Sequence, residues 1–135
     1  HYGDVSALLS HGRGKTMGDG WETRRRREPG NDWIIIKLAT KGLIKKIEID
    51  TAHFKGNYPD QASVQVSNFD KNKGLEELIN DSHNWKYILD KSKLQADNIH
   101  NYEVNDTSIK DVTHVRLNIY PDGGVSRLRI FGLKL

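Results

Sequence analysis

Short apolar runs that alternate with polar residues at period two, broken by Gly, Pro, Asn and Asp, confine this chain to β-structure. The clearest case is Val112–Tyr120, where Val115, Leu117 and Ile119 point one way and Arg116, Asn118 and Tyr120 the other. Such a strand belongs in a sheet with one buried face and one face toward water. The same reading predicts strands at 33–38, 43–50, 62–67, 85–89 and 127–131, each of ordinary strand length. Between Asn68 and Asn84 the pattern lapses, and its apolar cluster of Leu75, Leu78 and Ile79 is too short to hold a helix unaided. A loop with a single helical turn is expected there. With no long helices between strands and no internal repeat, the fold class is all-β: an antiparallel jelly-roll sandwich formed by residues 1–135 as one domain.

Composition removes several function classes. The 135 residues suffice for one continuous core without staples. The absence of Cys excludes disulfides and thiolate metal sites, and it suits an intracellular setting, cytoplasmic or alternatively peroxisomal. The longest apolar runs, such as Trp33 to Ile36, fall far short of the roughly 20 residues a membrane span needs, so no membrane partner is expected. The chain opens at His1 without a charged-then-apolar leader and reads as a processed product or an excised fragment. Formal charge is +3, and the dense basic run Arg24-Arg25-Arg26-Arg27 is flanked by Glu22 and Glu28 without interleaved aromatic residues, which argues against a nucleic-acid partner. Six scattered His residues offer no short paired spacing, so no metal is expected. No nucleophile elbow, phosphate-cradling loop or dinucleotide fingerprint is present, and no cofactor is expected.

Three polar clusters fall at strand ends, at 18–25, 50–57 and 120–127, where binding residues concentrate. Each combines a carboxylate with Arg or His and with Gly that lets backbone approach a ligand closely, which suits a small, polar, anionic ligand. Plainer readings stand beside this one. Pro121-Asp122-Gly123-Gly124 has the composition of a tight hairpin turn joining 112–120 to 127–131. Asp50 suits a buried turn acceptor, Trp21 and Trp33 suit packing, and the arginine run suits a solvated face. Residues 39–42 are few enough for a hairpin loop, which would send 33–38 out and 43–50 back. Glu22 and Arg24 would then share an end of the sandwich with His53 and Asn57.

At these clusters the sequence resembles the allantoicase family. The matching segments are Asp19-Gly20-Trp21-Glu22-Thr23-Arg24-Arg25, Asp32-Trp33-Ile34-Ile35-Ile36, Asp50-Thr51-Ala52-His53-Phe54-Lys55-Gly56-Asn57 and the stretch 120–129, in family order and across nearly the whole chain. The resemblance implies a galactose-binding or discoidin-like jelly roll that family members carry in two tandem copies. It also implies hydrolysis of allantoate to ureidoglycolate and urea. Gly12-Arg13-Gly14, followed by Met17 to Trp21, looks more like the second repeat than the first. Allantoate carries a carboxylate and two ureido groups on one carbon. The resemblance therefore implies Arg24 or Arg127 as carboxylate clamp, Glu22 and Asp50 as acid or base, and His53 as proton shuttle. Asn57 would contact substrate, and Asp122 would recognise the ureido group or support the turn. Within the arginine run, Arg24 is expected to matter and Arg26 to matter little. The implied partners are the sister repeat and a homo-oligomeric copy, and a lone repeat is expected to be inactive. A non-catalytic ligand-binding or structural sandwich is the alternative.

Overall fold

The computed structural model describes Leu9 and residues 20–69 and 72–134. Along these residues the chain forms β1 (Trp21–Glu22), β2 (Asp32–Asp50), β3 (Gln61–Ser67), α1 (Leu75–Ser82), β4 (Lys86–Lys93), β5 (Ile99–Glu103), β6 (Val112–Tyr120), β7 (Gly124–Val125) and β8 (Arg127–Lys134). Every pairing is antiparallel. The order β4-β3-β6-β2-β5 holds the larger sheet, with β8 also on β2, while β1 and β7 make a small pair of their own.

The expected hairpin at 39–42 is absent: 33–38 and 43–50 are one strand, β2, of 19 residues. Straight, it would run about 60 Å. Yet Asp32 lies opposite Ile119 and Asp50 opposite Arg127, eight residues further on, a separation that spans at most about 28 Å. So β2 must turn a corner, and its pairing with β6 breaks register between Lys37 and Gly42. Its first half pairs with β6, and its second half lies between β5 and β8. One strand thus serves both layers of the sandwich. The expected hairpin between 112–120 and 127–131 is likewise absent, because β6 and β8 each pair with β2 and not with each other. Residues 121–126 cross between layers instead.

The core fills the space inside this bend. Ile47, Ile49, Ala62, Val64, Leu117 and Ile119 are fully buried, with Trp21 and Val125 closing one end. At roughly 2 kcal/mol for each buried branched side chain, this cluster carries the main favourable term in folding. No helix among the described residues is long and apolar enough to cross a membrane.

The opposite face of β6 was expected to meet water. Instead Arg116 and Asn118 are 4% and 3% exposed. Their burial is satisfied by a connected network. Arg116 Nε donates to Asn118 Oδ1 (2.8 Å) and Arg116 Nη1 to Ser82 Oγ (2.5 Å). Asn118 Nδ2 donates to Gln65 Oε1 (2.9 Å), and Ser63 Oγ meets the Tyr120 hydroxyl (2.8 Å). This network also explains why α1 extends to 8 residues where one turn was expected: its last residue, Ser82, is tied to the sheet. Tertiary anchoring supplies what the short sequence lacks.

His114 occupies the same face, against the rings of Phe69 (5.7 Å) and Trp85 (6.1 Å). Burial, and secondarily Lys37, lowers its pKa below the ordinary 6.5. A depressed folded-state value means that the unfolded chain takes the proton first. Stability from this group is therefore complete above pH 6.5 and is lost as pH falls below it. An NMR titration should place the His114 midpoint below 6.5, and a midpoint at or above 6.5 would contradict the packing described.

Candidate functional site

The described part of the first cluster, 20–25, does meet the clusters at 50–57 and 120–127, but through the crossover and not through a hairpin. Asp32 N donates to Pro121 O (3.1 Å), Thr23 N to Gly123 O (3.0 Å), Gly124 N to Asn57 O (2.8 Å) and Ser126 N to Asp50 O (2.7 Å). Each bond satisfies a backbone group that a loop would otherwise leave to solvent. Gly123 sits at φ +126°, and a Cβ there would lie 2.7 Å from Asn57 O and 2.8 Å from Pro59 N. A Cβ on Gly124 would overlap the Phe54 ring. Two successive glycines are what lets three backbones lie this close.

Two cavities flank the segment that follows β1. One, about 630 Å³, is lined by Glu22, Arg25, Asn57, Tyr58 and Asp122 among others. Its neighbour, about 570 Å³, is lined by Trp21, Arg24, Arg27, Glu28 and Trp33 among others. Thr23, Arg25 and Arg26 border both, so the arginine run is the wall between them.

The structure brings together Glu22, Asn57 and Asp122. Asn57 Nδ2 donates to Glu22 Oε2 at 2.6 Å, and Asp122 Oδ2 accepts from Arg26 N at 2.7 Å. Arg24 is exposed and lines the neighbouring cavity. Asp50, Arg127 and His53 line neither. Asp50 is 1% exposed and accepts from Ala52 N (2.9 Å), closing the turn after β2. Arg127 is 5% exposed and donates to Ser126 O (2.7 Å). His53 takes φ +73° and donates its backbone N–H to Asp97 Oδ1 (2.7 Å). Trp21 is core, whereas Trp33 is one-third exposed over the Arg116 guanidinium (4.4 Å). Gly12, Arg13, Gly14, Met17, Gly18 and Asp19 lie outside the described residues. Among the described residues, no group of three or more His, Asp or Glu is arranged to hold a metal ion.

Two arginines carry more than the sequence suggested. Arg25 borders both cavities. Arg26 binds Asp32 Oδ1 (2.8 Å) and Pro29 O (3.2 Å), which ties down the loop between β1 and β2. No local signal separates members of a four-arginine run, so only the folded loop distinguishes them.

The Allantoicase repeat family model matches residues 1–135. The chain belongs to the allantoicase family. A probable allantoicase of Burkholderia mallei is 54% identical over 132 residues, covering 98% of this chain and 39% of the relative. This chain thus spans about two fifths of that allantoicase's length. The allantoicase of Saccharomyces cerevisiae superposes with a TM-score of 0.82 at 41% identity, over 98% of this chain and 37% of that one. CpGH89CBM32-6 of Clostridium perfringens shares the fold alone, with a TM-score of 0.61 at 17% identity over 95% and 84% of the two chains.

Two stability predictions follow from the loop geometry of this allantoicase repeat. Gly123→Ala should cost at least about 3 kcal/mol in denaturant unfolding, since strain at positive φ adds to backbone overlap. Gly56→Ala, where a Cβ would meet nothing within 4 Å, should cost less than about 1 kcal/mol. Equal effects would refute the close approach. Arg26→Lys should lower stability by about 1 kcal/mol through loss of its forked contacts to Asp32 and Pro29. Unchanged stability would remove Arg26 from its place in the loop.

Proposed function

We propose that the chain is one repeat, the second, of a two-repeat enzyme that hydrolyses allantoate to ureidoglycolate and urea in the cytoplasm. The match to the Allantoicase repeat model along all 135 residues carries this reading. Gly12-Arg13-Gly14 and Met17 to Trp21 support its being the second repeat. The reaction cleaves one C–N bond on the central carbon. A proton goes to the departing urea nitrogen, and hydroxide from water ends on carbon, which is general acid and base work.

In this reading the cavity of Glu22, Asn57 and Asp122 holds the reacting end of allantoate. Glu22 is the proton-transferring carboxylate, with Asn57 fixing its orientation at 2.6 Å. Asp122 accepts from ureido N–H groups, and its bond to Arg26 N holds it at the cavity wall. Arg25, bordering both cavities, grips the substrate carboxylate, with Arg24 adding charge from the neighbouring one. Asp50, His53 and Arg127 act through the loops that they brace. With Asp122 given to the ureido group, Glu22 is the one proton-transferring carboxylate of this cavity in this reading, and the sister repeat supplies the second. That need makes the isolated repeat inactive, since separation discards half of a preorganised site.

Urea release tests this. In the two-repeat parent, Glu22→Gln should lower kcat about 100-fold or more while KM changes less than tenfold. The isolated chain should release almost no urea. Unchanged kcat in Glu22→Gln would make this repeat a support for catalysis elsewhere, and full activity of the isolated chain would refute the shared site.

A further inference from the structure

Trp33 stands between a buried charge and an open cavity. Its ring lies over the Arg116 guanidinium, 4.4 Å from its Cζ, and Arg116 is itself 4% exposed. Arg116 is held by two side-chain bonds, Nε to Asn118 Oδ1 and Nη1 to Ser82 Oγ, so the support against the ring is fixed. One face of the indole is therefore closed, and the 36% of Trp33 that is exposed belongs to its other face and rim. Trp33 lines the cavity of about 570 Å³, beside Arg24 and Arg27. An indole presented to a cavity in this way is a platform for a flat group. The cation behind it draws on the ring's π density, which weakens its attraction for a second cation and suits it to a planar group that is neutral or anionic.

Polar groups on the same wall narrow the class further. Asp32 lines this cavity too, with Oδ1 taken by Arg26 Nη1 at 2.8 Å. Among the described residues nothing donates to its Oδ2, and an ionised carboxylate accepts through both oxygens, so Oδ2 is left for a ligand N–H. The arginines supply donors for a carbonyl oxygen. A resonance-flattened group that carries both N–H and C=O, an amide or a ureide, matches ring, carboxylate and guanidinium together. Arg25 and Arg26 form the wall shared with the second cavity, where Glu22 lies. Two cavities about a cationic wall have the layout of two ureido groups about a carboxylate.

We propose that the cavity at Trp33 is the subsite for the ureido group of allantoate that is not cleaved, which stacks on the indole and donates to Asp32 Oδ2. The other ureido group reacts beside Glu22, and the carboxylate stays on the Arg25 wall. This rests on the reading of the site as one for allantoate and deepens it, because Trp33 and Asp32 then make the chain select a ligand with two ureido groups over one with a single such group.

All of these contacts lie within this chain, so the isolated repeat should bind allantoate even though it does not turn it over. In an NMR titration of the isolated chain, allantoate should shift the Trp33 indole N–H signal saturably, while that of Trp85, which lines neither cavity, stays in place. Acetate, with a carboxylate and no ureido group, should give less than about one fifth of that shift at equal concentration. In the two-repeat parent, Trp33→Leu should raise KM for allantoate at least about tenfold while kcat falls less than about threefold. Trp33→Phe, which keeps a flat ring, should recover most of that loss. An unmoved Trp33 signal overturns the proposal, and so does an equal shift from acetate or from galactose, a neutral ring without ureido groups. Unchanged KM in Trp33→Leu overturns it as well, and if that variant fails to fold, the titration of the native chain decides. Urea release by the parent separates this subsite from the reading on which it rests. Release with an unmoved Trp33 signal removes the subsite alone. A shifted signal without release removes the hydrolase reading and leaves a binding site for a ureido acid.

Discussion

Backbone hydrogen bonds made by the crossover from β6 to β8 hold the architecture in place. Residues 121–126 bond on one side to the entry of β2, through Asp32 N, and on the other to its exit, through Asp50 O. A 19-residue strand is thereby clamped at both ends by one short segment, and its bend becomes obligatory. The bend creates the sandwich, the core fills it, and the clamp leaves the polar clusters lying side by side. Packing and site geometry are two results of the same constraint, so damage at Gly123 or Gly124 reaches both.

Much of this was legible in sequence where side-chain period carried the information. The strands at 62–67 and 112–120 coincide with β3 and β6, and 85–89 and 127–131 locate β4 and β8 with short ends. Alternation could not reveal that 33–38 and 43–50 are continuous, because a corner and a hairpin loop need the same small, polar residues. It also missed β5, whose Ile99–Glu103 carries few apolar residues and is paired through backbone to β2. β1 and β7, of two residues each, have no period to read. The clusters do converge at one end, although the hairpin expected to cause it does not exist.

At residue level the candidate site was legible in type more than in placement. Glu22, Asn57 and Asp122 share a cavity, while Asp50 and Arg127 are buried against backbone, a position that a strand-end pattern does not distinguish from a ligand-facing one. Arg26 was expected to be expendable, yet it is the loop's tie through Asp32. The polar residues of β6 were assigned to water by the alternation rule, and their burial depends on a helix whose formation depends in turn on Ser82 reaching Arg116. Such mutual dependence lies beyond any local reading of sequence.

The crossover is the feature on which the fold and the site both depend, and amide hydrogen exchange examines it bond by bond. Gly124 and Ser126 belong by local sequence to a Gly-rich turn, whose amides would exchange as fast as an unstructured peptide. Their bonds to Asn57 O and Asp50 O require instead that they open with the core. Under native conditions both should exchange at least about a thousandfold more slowly than an unstructured peptide, alongside Leu117 in β6. Exchange of Gly124 and Ser126 at turn-like rates while Leu117 stays protected would contradict the clamp, and with it the convergence of the site.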